Sequence, residues 1–167
     1  MKKEKMKSVI KEASSYIIII AIVLVIKHFY VAPIKVNGSS MYNTLKDKDI
    51  MILNRFKYRH SDIKRYDIVV VDQGKEYLIK RIIGLPGDEL EYKDNILYIN
   101  GKKVDDKYAK GKTEDFKIKL KKDYYFVMGD NRQNSLDSRY FGPFNRNKIK
   151  GKTSFTVFPF SRFGNKK

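Results

Sequence analysis

The sequence predicts a mainly β chain behind one N-terminal transmembrane helix, on three observations. An uncharged apolar run, Tyr16 to Ile26, follows a lysine-rich start. Beyond it, short runs of β-branched and aromatic residues alternate with turns rich in Gly, Pro, Asn and Asp, the pattern of strands in a packed core. No helical periodicity stands out in that remainder.

The elements follow in order. Residues 1–12 set Lys2, Lys3, Lys5, Lys7 and Lys11 against Glu4 and Glu12, which predicts a basic cytoplasmic N-terminus. Residues 13–34 are expected to cross about 30 Å of hydrocarbon at about 1.5 Å per helical residue. Lys27 snorkels at the far end, and His28, Phe29 and Tyr30 suit the interface before Pro33 stops the helix. A cleavable secretory signal is the competing reading, but Val31-Ala32-Pro33 is a poor cleavage site. The expectation is a single-pass cell-membrane protein whose residues 35–167 form a β-rich extracytoplasmic domain. Within it, Asp67–Val71 and Tyr77–Ile83 read as strands, the second closed by the turn Gly84-Leu85-Pro86-Gly87-Asp88. Leu90–Tyr92 and Ile96–Ile99 form a hairpin about Lys93-Asp94-Asn95, and Asn100-Gly101 turns the chain again. Residues 93–123, dense in charge from Lys102 to Lys122, are expected as a small surface excursion. Tyr124–Met128 and Ser154–Phe158 complete the strands.

Composition excludes several chemistries. Cysteine is absent, which removes thiol nucleophiles, zinc–thiolate sites and disulfides together. With two histidines, His28 and His60, no histidine metal site is expected, and no cofactor. The net charge of +17 is scattered and carries no nucleic-acid motif, so anionic lipid headgroups are the better partner than nucleic acid. Phe155 and Phe158 read as core, whereas Phe160 and Phe163, beside Arg162, Lys166 and Lys167, suit a membrane surface.

Lys80 is the oddly placed residue. Side chains alternate along a strand, so Lys80 shares a face with Leu78 and Ile82, and aliphatic surroundings disfavour its charged form. At lysine's ordinary pKa of about 10.4, about one molecule in a few thousand is neutral at pH 7. Lowering it enough to make a base costs about 3 to 4 kcal/mol of solvation. Taken alone, a lysine with a buried stem and a hydrated head explains the residue as well. Ser39 and Ser40, in Val36-Asn37-Gly38-Ser39-Ser40-Met41, offer a hydroxyl for such a base, although Gly-Ser-Ser by itself is simply a turn.

Three ordered blocks stand out: Gly38-Ser39-Ser40-Met41-Tyr42-Asn43-Thr44-Leu45, then Tyr77 to Asp88, then Gly129-Asp130-Asn131-Arg132-Gln133-Asn134-Ser135-Leu136-Asp137-Ser138-Arg139. Together they resemble the type I signal peptidases, membrane-anchored serine proteases that remove signal peptides from exported proteins. The resemblance implies an antiparallel β-sheet, barrel-like catalytic domain, with Ser40 as nucleophile, Lys80 as general base and Ser135 orienting the lysine amine. It assigns one oxyanion donor to the Ser40 backbone N–H. Where some members place a serine hydroxyl as second donor, this chain has Gly38. Arg81 with Asp130, and Asp137 with Arg139, are implied as ion pairs bracing the site, and Val36 and Ile79 as liners of small pockets for Ala-x-Ala-type sequences. Asn43 and Tyr66 depart from the family's usual proline and glycine. The implied partners are signal peptides, the lipid bilayer and the protein export machinery. A self-cleaving repressor would begin with a DNA-binding domain instead of an apolar anchor. A catalytically inactive, membrane-tethered peptide-binding module would lack a dyad residue, and a Ser–His–Asp protease would need His60, which has no supporting motif.

Overall fold

In the computed structural model, residues 2–29, 31–55 and 63–166 are described. Tyr30, His60 and Lys167, each weighed above, lie outside them. One long helix precedes a β body: α1 spans Lys2–Phe29 and strand β1, Val31–Lys35, follows almost at once. The expected span to Ile34 is therefore shortened, because residues 31–35 pair antiparallel with β2, Ile50–Asn54. Pro33 sits comfortably on this strand because β1 is an edge of its sheet. Among the described residues no helix is long and apolar enough to cross a membrane. The apolar run from Ala13 to Ile26 measures only about 21 Å at about 1.5 Å per residue.

The body is antiparallel throughout its named strands, with β3 at Ile68–Asp72, β4 at Tyr77–Gly84, β9 at Tyr124–Met128, β10 at Phe144–Asn145, β11 at Ile149–Phe158 and β12 at Gly164–Asn165. The main sheet runs β1-β2-β11-β3-β4-β9-β10, with β12 on β11. β-Branched residues suit this pleated, half-buried surface: Val69 and Val71 of β3 pack with Leu78 and Ile82 of β4 and Val127 of β9 in one core cluster. A second cluster, Val36, Met41, Leu45, Met51 and Ile68, fills the space behind the first strands.

The charge-dense stretch is more than a surface excursion. Strands β5 (Glu89–Lys93), β6 (Ile96–Ile99), β7 (Lys102–Val104) and β8 (Phe116–Lys119) form a second sheet in the order β7-β6-β5-β8. Leu90, Leu97 and Leu120 seal it against Ile83, Phe126 and Met128 of the main sheet. The lysines of β8 alternate with Phe116 and Ile118, so charge occupies one face and core packing the other. Composition showed the charge; the alternation carried the strand.

Candidate active site

Ser40 lies in a tight turn behind β1. Tyr42 N–H donates to Ser39 O and Leu45 N–H to Met41 O, while Met41 and Leu45 are fully buried anchors beneath it. Gly38 opens the turn with φ +87°, a left-handed conformation that favours glycine, and donates its N–H to Asp47 Oδ1 at 2.8 Å. That amide is committed, and a side chain here would be strained.

Lys80 enters from the middle of β4, 4% exposed, with Nζ 2.6 Å from Ser40 Oγ. Burial pushes its pKa down from 10.5 to about 8, although Asp137 and Glu76 pull it back towards the charged form. As an ammonium Lys80 donates to Ser40 Oγ; as a neutral amine it is placed to accept a proton from it, the arrangement a base needs to activate a hydroxyl.

The next residue points the other way. Arg81 is 1% exposed and grips Asp130 with two contacts, Nε–Oδ1 at 2.8 Å and Nη2–Oδ2 at 2.7 Å. Its Nη1 donates to Tyr66 O, the Thr44 hydroxyl donates to Asp130 Oδ2, and the Tyr108 ring lies 3.7 Å from the guanidinium. Such saturation suits a buried charge pair. Asp137 binds Arg139 through Nε–Oδ1 and Nη2–Oδ2, both at 2.9 Å, and accepts the Gly129 N–H at 2.9 Å. Burial alone would raise the Asp137 carboxyl, but these donors hold it below the usual carboxylate range.

The Ser135 hydroxyl is buried and hydrogen-bonds neither Lys80 nor any other described group, and its place near Asp137 helps to hold that carboxyl's pKa down. Val36, at 3% exposure, packs in the core with Met41 and Met51, and Ile79 lines an open cleft. That cleft, about 630 Å³, is walled by Pro33, Ile34, Leu53, Val70 and Tyr77 besides Ile79. β9 pairs with β4 only from Arg81 onward, so the Tyr77–Lys80 half has β3 alone as its described neighbour.

Three residues went unremarked in the sequence. Asn131 N–H donates to Ser40 O at 2.9 Å, and Asn134 Nδ2 donates to Ser39 Oγ at 2.7 Å. A Cβ on Gly129 would sit 2.5 Å from Ser40 O and would also strike Ser135. Their signal was the glycine and two asparagines inside the third block, types that serve close approach and short-range hydrogen bonding.

The sequence pattern of the family "Signal peptidase, peptidase S26" matches residues 9–158. A signal peptidase I of Bacillus amyloliquefaciens is 42% identical, with 96% of this chain and 94% of that protein covered. Signal peptidase I S of Bacillus subtilis is 40% identical over 94% and 93% of the two chains, and signal peptidase IB of Staphylococcus aureus 36% identical over 98% and 94%. A crystal structure of a signal peptidase I from Enterococcus faecalis superposes with a TM-score of 0.51 at 34% identity, covering 55% of this chain and 97% of that one. A serine and a buried lysine in contact, on an antiparallel β body, thus sit within a sequence matched nearly end to end, and the chain belongs to the signal peptidase family, peptidase S26.

Proposed function

We propose that this peptidase removes N-terminal signal peptides from exported preproteins, cutting after small residues of Ala-x-Ala type, with Ser40 as nucleophile and Lys80 as its neutral base. The 2.6 Å contact between Lys80 Nζ and Ser40 Oγ carries the reading. Ser40 Oγ attacks the scissile carbonyl carbon while its proton passes to Nζ. The Ser40 backbone N–H meets the developing oxyanion. The Lys80 ammonium then gives its proton to the departing amine, leaving the signal peptide as an ester on Ser40. Lys80, neutral again, takes a proton from the water that attacks this ester and returns it to Ser40 Oγ as the C–Oγ bond breaks and the signal peptide leaves with a free carboxyl group. Asp130 and Arg81, with Asp137 and Arg139, brace the loop around the dyad. An inactive peptide-binding role would leave a costly buried lysine without a purpose.

The substrate enters as an added strand along the open half of β4, a mode in which backbone hydrogen bonds give affinity and pockets give specificity. Ile79, on β4, lines the pocket for small substrate side chains, where larger ones would overlap. α1 holds the enzyme at the membrane, where preproteins arrive from the export machinery. From Tyr16 to Val25 its large apolar side chains are each 51–68% exposed on every side of the helix, which suits an apolar medium. The basic start sets that end in the cytoplasm and the body outside. Phe160 and Phe163, 79% and 61% exposed beside Arg162, add a contact with the lipid surface.

The test is cleavage of a preprotein with an Ala-x-Ala site by purified enzyme in detergent. Ser40→Ala and Lys80→Ala should each lose at least 1,000-fold in kcat/KM while keeping the wild-type circular dichroism. Undiminished cleavage by either variant sinks the dyad.

A further inference from the structure

We propose that Asp106, in the charge-dense stretch between β7 and β8, is a positioning residue for the Ser40 nucleophile, acting through Arg132. The inference rests on Ser40 being that nucleophile.

Arg132 is 2% exposed, an extreme burial for a charge that stays protonated. Its Nη1 lies 2.6 Å from Asp106 Oδ2, and the Tyr92 hydroxyl of β5 hydrogen-bonds both partners. On its other side Arg132 Nε donates to Gly129 O at 3.0 Å. The backbones are laced as well: Arg132 N–H donates to Lys110 O at 2.9 Å and Lys110 N–H to Asp130 O at 2.7 Å. The far end of this lacing is the nucleophile, for Asn131 N–H donates to Ser40 O and Gly129 packs directly against that same oxygen. Asp106 is thus three contacts from Ser40: carboxylate to guanidinium, guanidinium to Gly129 O, and Gly129 against the Ser40 carbonyl.

The couple makes a poor stabiliser, because Asp106 Oδ1 and Arg132 Nη2 are both buried without a partner. Burying charges that are incompletely bonded gains little over apolar packing. Its geometry is what it offers. Without the Asp106 charge, Arg132 has no carboxylate at contact distance in its pocket and swings towards water. Gly129 O then loses its donor, the loop from Gly129 to Arg132 relaxes, and Ser40 drifts relative to Lys80. Misplacing a reacting group by about 1 Å can cost about 100-fold in rate.

The experiment compares Asp106→Asn, Asp106→Glu and the double variant Asp106→Leu/Arg132→Met with wild type and Ser40→Ala, at a temperature where circular dichroism shows each folded. Asp106→Asn should lower kcat at least tenfold with KM within about threefold of wild type, and Asp106→Glu, which keeps the charge, should recover much of the loss. The double variant removes both charges, so its thermal midpoint should approach wild type while kcat stays low, because Gly129 O still lacks its donor. Recovery of kcat together with stability in the double variant overturns the proposal, for the couple is then only a staple between sheets. Wild-type kcat in Asp106→Asn overturns it too. If Asp106→Asn does not fold, the double variant decides. Activity surviving in Ser40→Ala would fail the nucleophile assignment instead, a result separate from any of these.

Discussion

Lys80 and Ser40 are 2.6 Å apart, and the lysine's pKa near 8 turns that contact into a pH-dependent one. With Lys80 as the base proposed above, the neutral amine is the active form, so kcat/KM should fall about tenfold per pH unit below 8 and level off above it. A wild-type rate flat from pH 6 to 9 would contradict the assignment. The same shift has a stability consequence. The folded pKa lies below the unfolded value of 10.5, so the cost of the buried charge is fully present below about pH 8 and disappears as pH rises to 10.5. Wild type should therefore gain about 3 kcal/mol on Lys80→Met across that window. Denaturant unfolding of both proteins at pH 7.5 and 10.5 measures it. Equal differences at the two pH values would mean that Lys80 keeps its ordinary pKa.

At the scale of elements, the loop from Gly129 to Asp137 is the partner that β4 and the Ser40 turn share. Gly129→Ala places a Cβ 2.5 Å from Ser40 O, and neither that backbone oxygen nor the Ser135 side chain can give way cheaply. We expect about 1 to 3 kcal/mol of destabilisation and a loss in kcat/KM of at least 100-fold. Thermal melts and a cleavage assay separate the two effects, and near-wild-type activity would show that the loop yields. Much of this element was legible beforehand. The turn after Gly84 bounded β4, and strand alternation placed Lys80 on the face of Leu78 and Ile82, where the structure has both in one cluster. The Arg81–Asp130 contact was carried by likeness to a family. The orienting role of Ser135 was likewise carried by likeness alone, since a hydroxyl has a choice of acceptors that sequence spacing does not decide. Asp106 and Arg132 were invisible for another reason: charged residues in a charge-rich stretch read as solvated, and burial arises only from sheet packing remote in sequence.

For the whole molecule, the question is how a chain with net charge +17 sits against its surroundings. A helix exposing isoleucine and valine all round suits an apolar environment, and that can be tested. Full-length protein in anionic vesicles should resist alkaline carbonate extraction. Ile19→Lys/Val23→Lys, each lysine costing about 2.5 to 3.5 kcal/mol at a helix centre, should be released. Retention of the double variant would locate membrane attachment elsewhere, for example at Phe160 and Phe163.

The pairing of β4 has one more consequence. Lys80 and Arg81 are adjacent cations on opposite faces of one strand, the first beside Ser40 and the second locked to Asp130. A slip of a single residue would exchange them and present the hydroxyl with a guanidinium that never surrenders its proton. Antiparallel pairing with β3 along Tyr77–Arg81 and with β9 beyond it, including the irregularity between Ile82 and Gly84, makes that slip costly. The ladder therefore acts as a selector: it decides which of two neighbouring cationic side chains meets the hydroxyl.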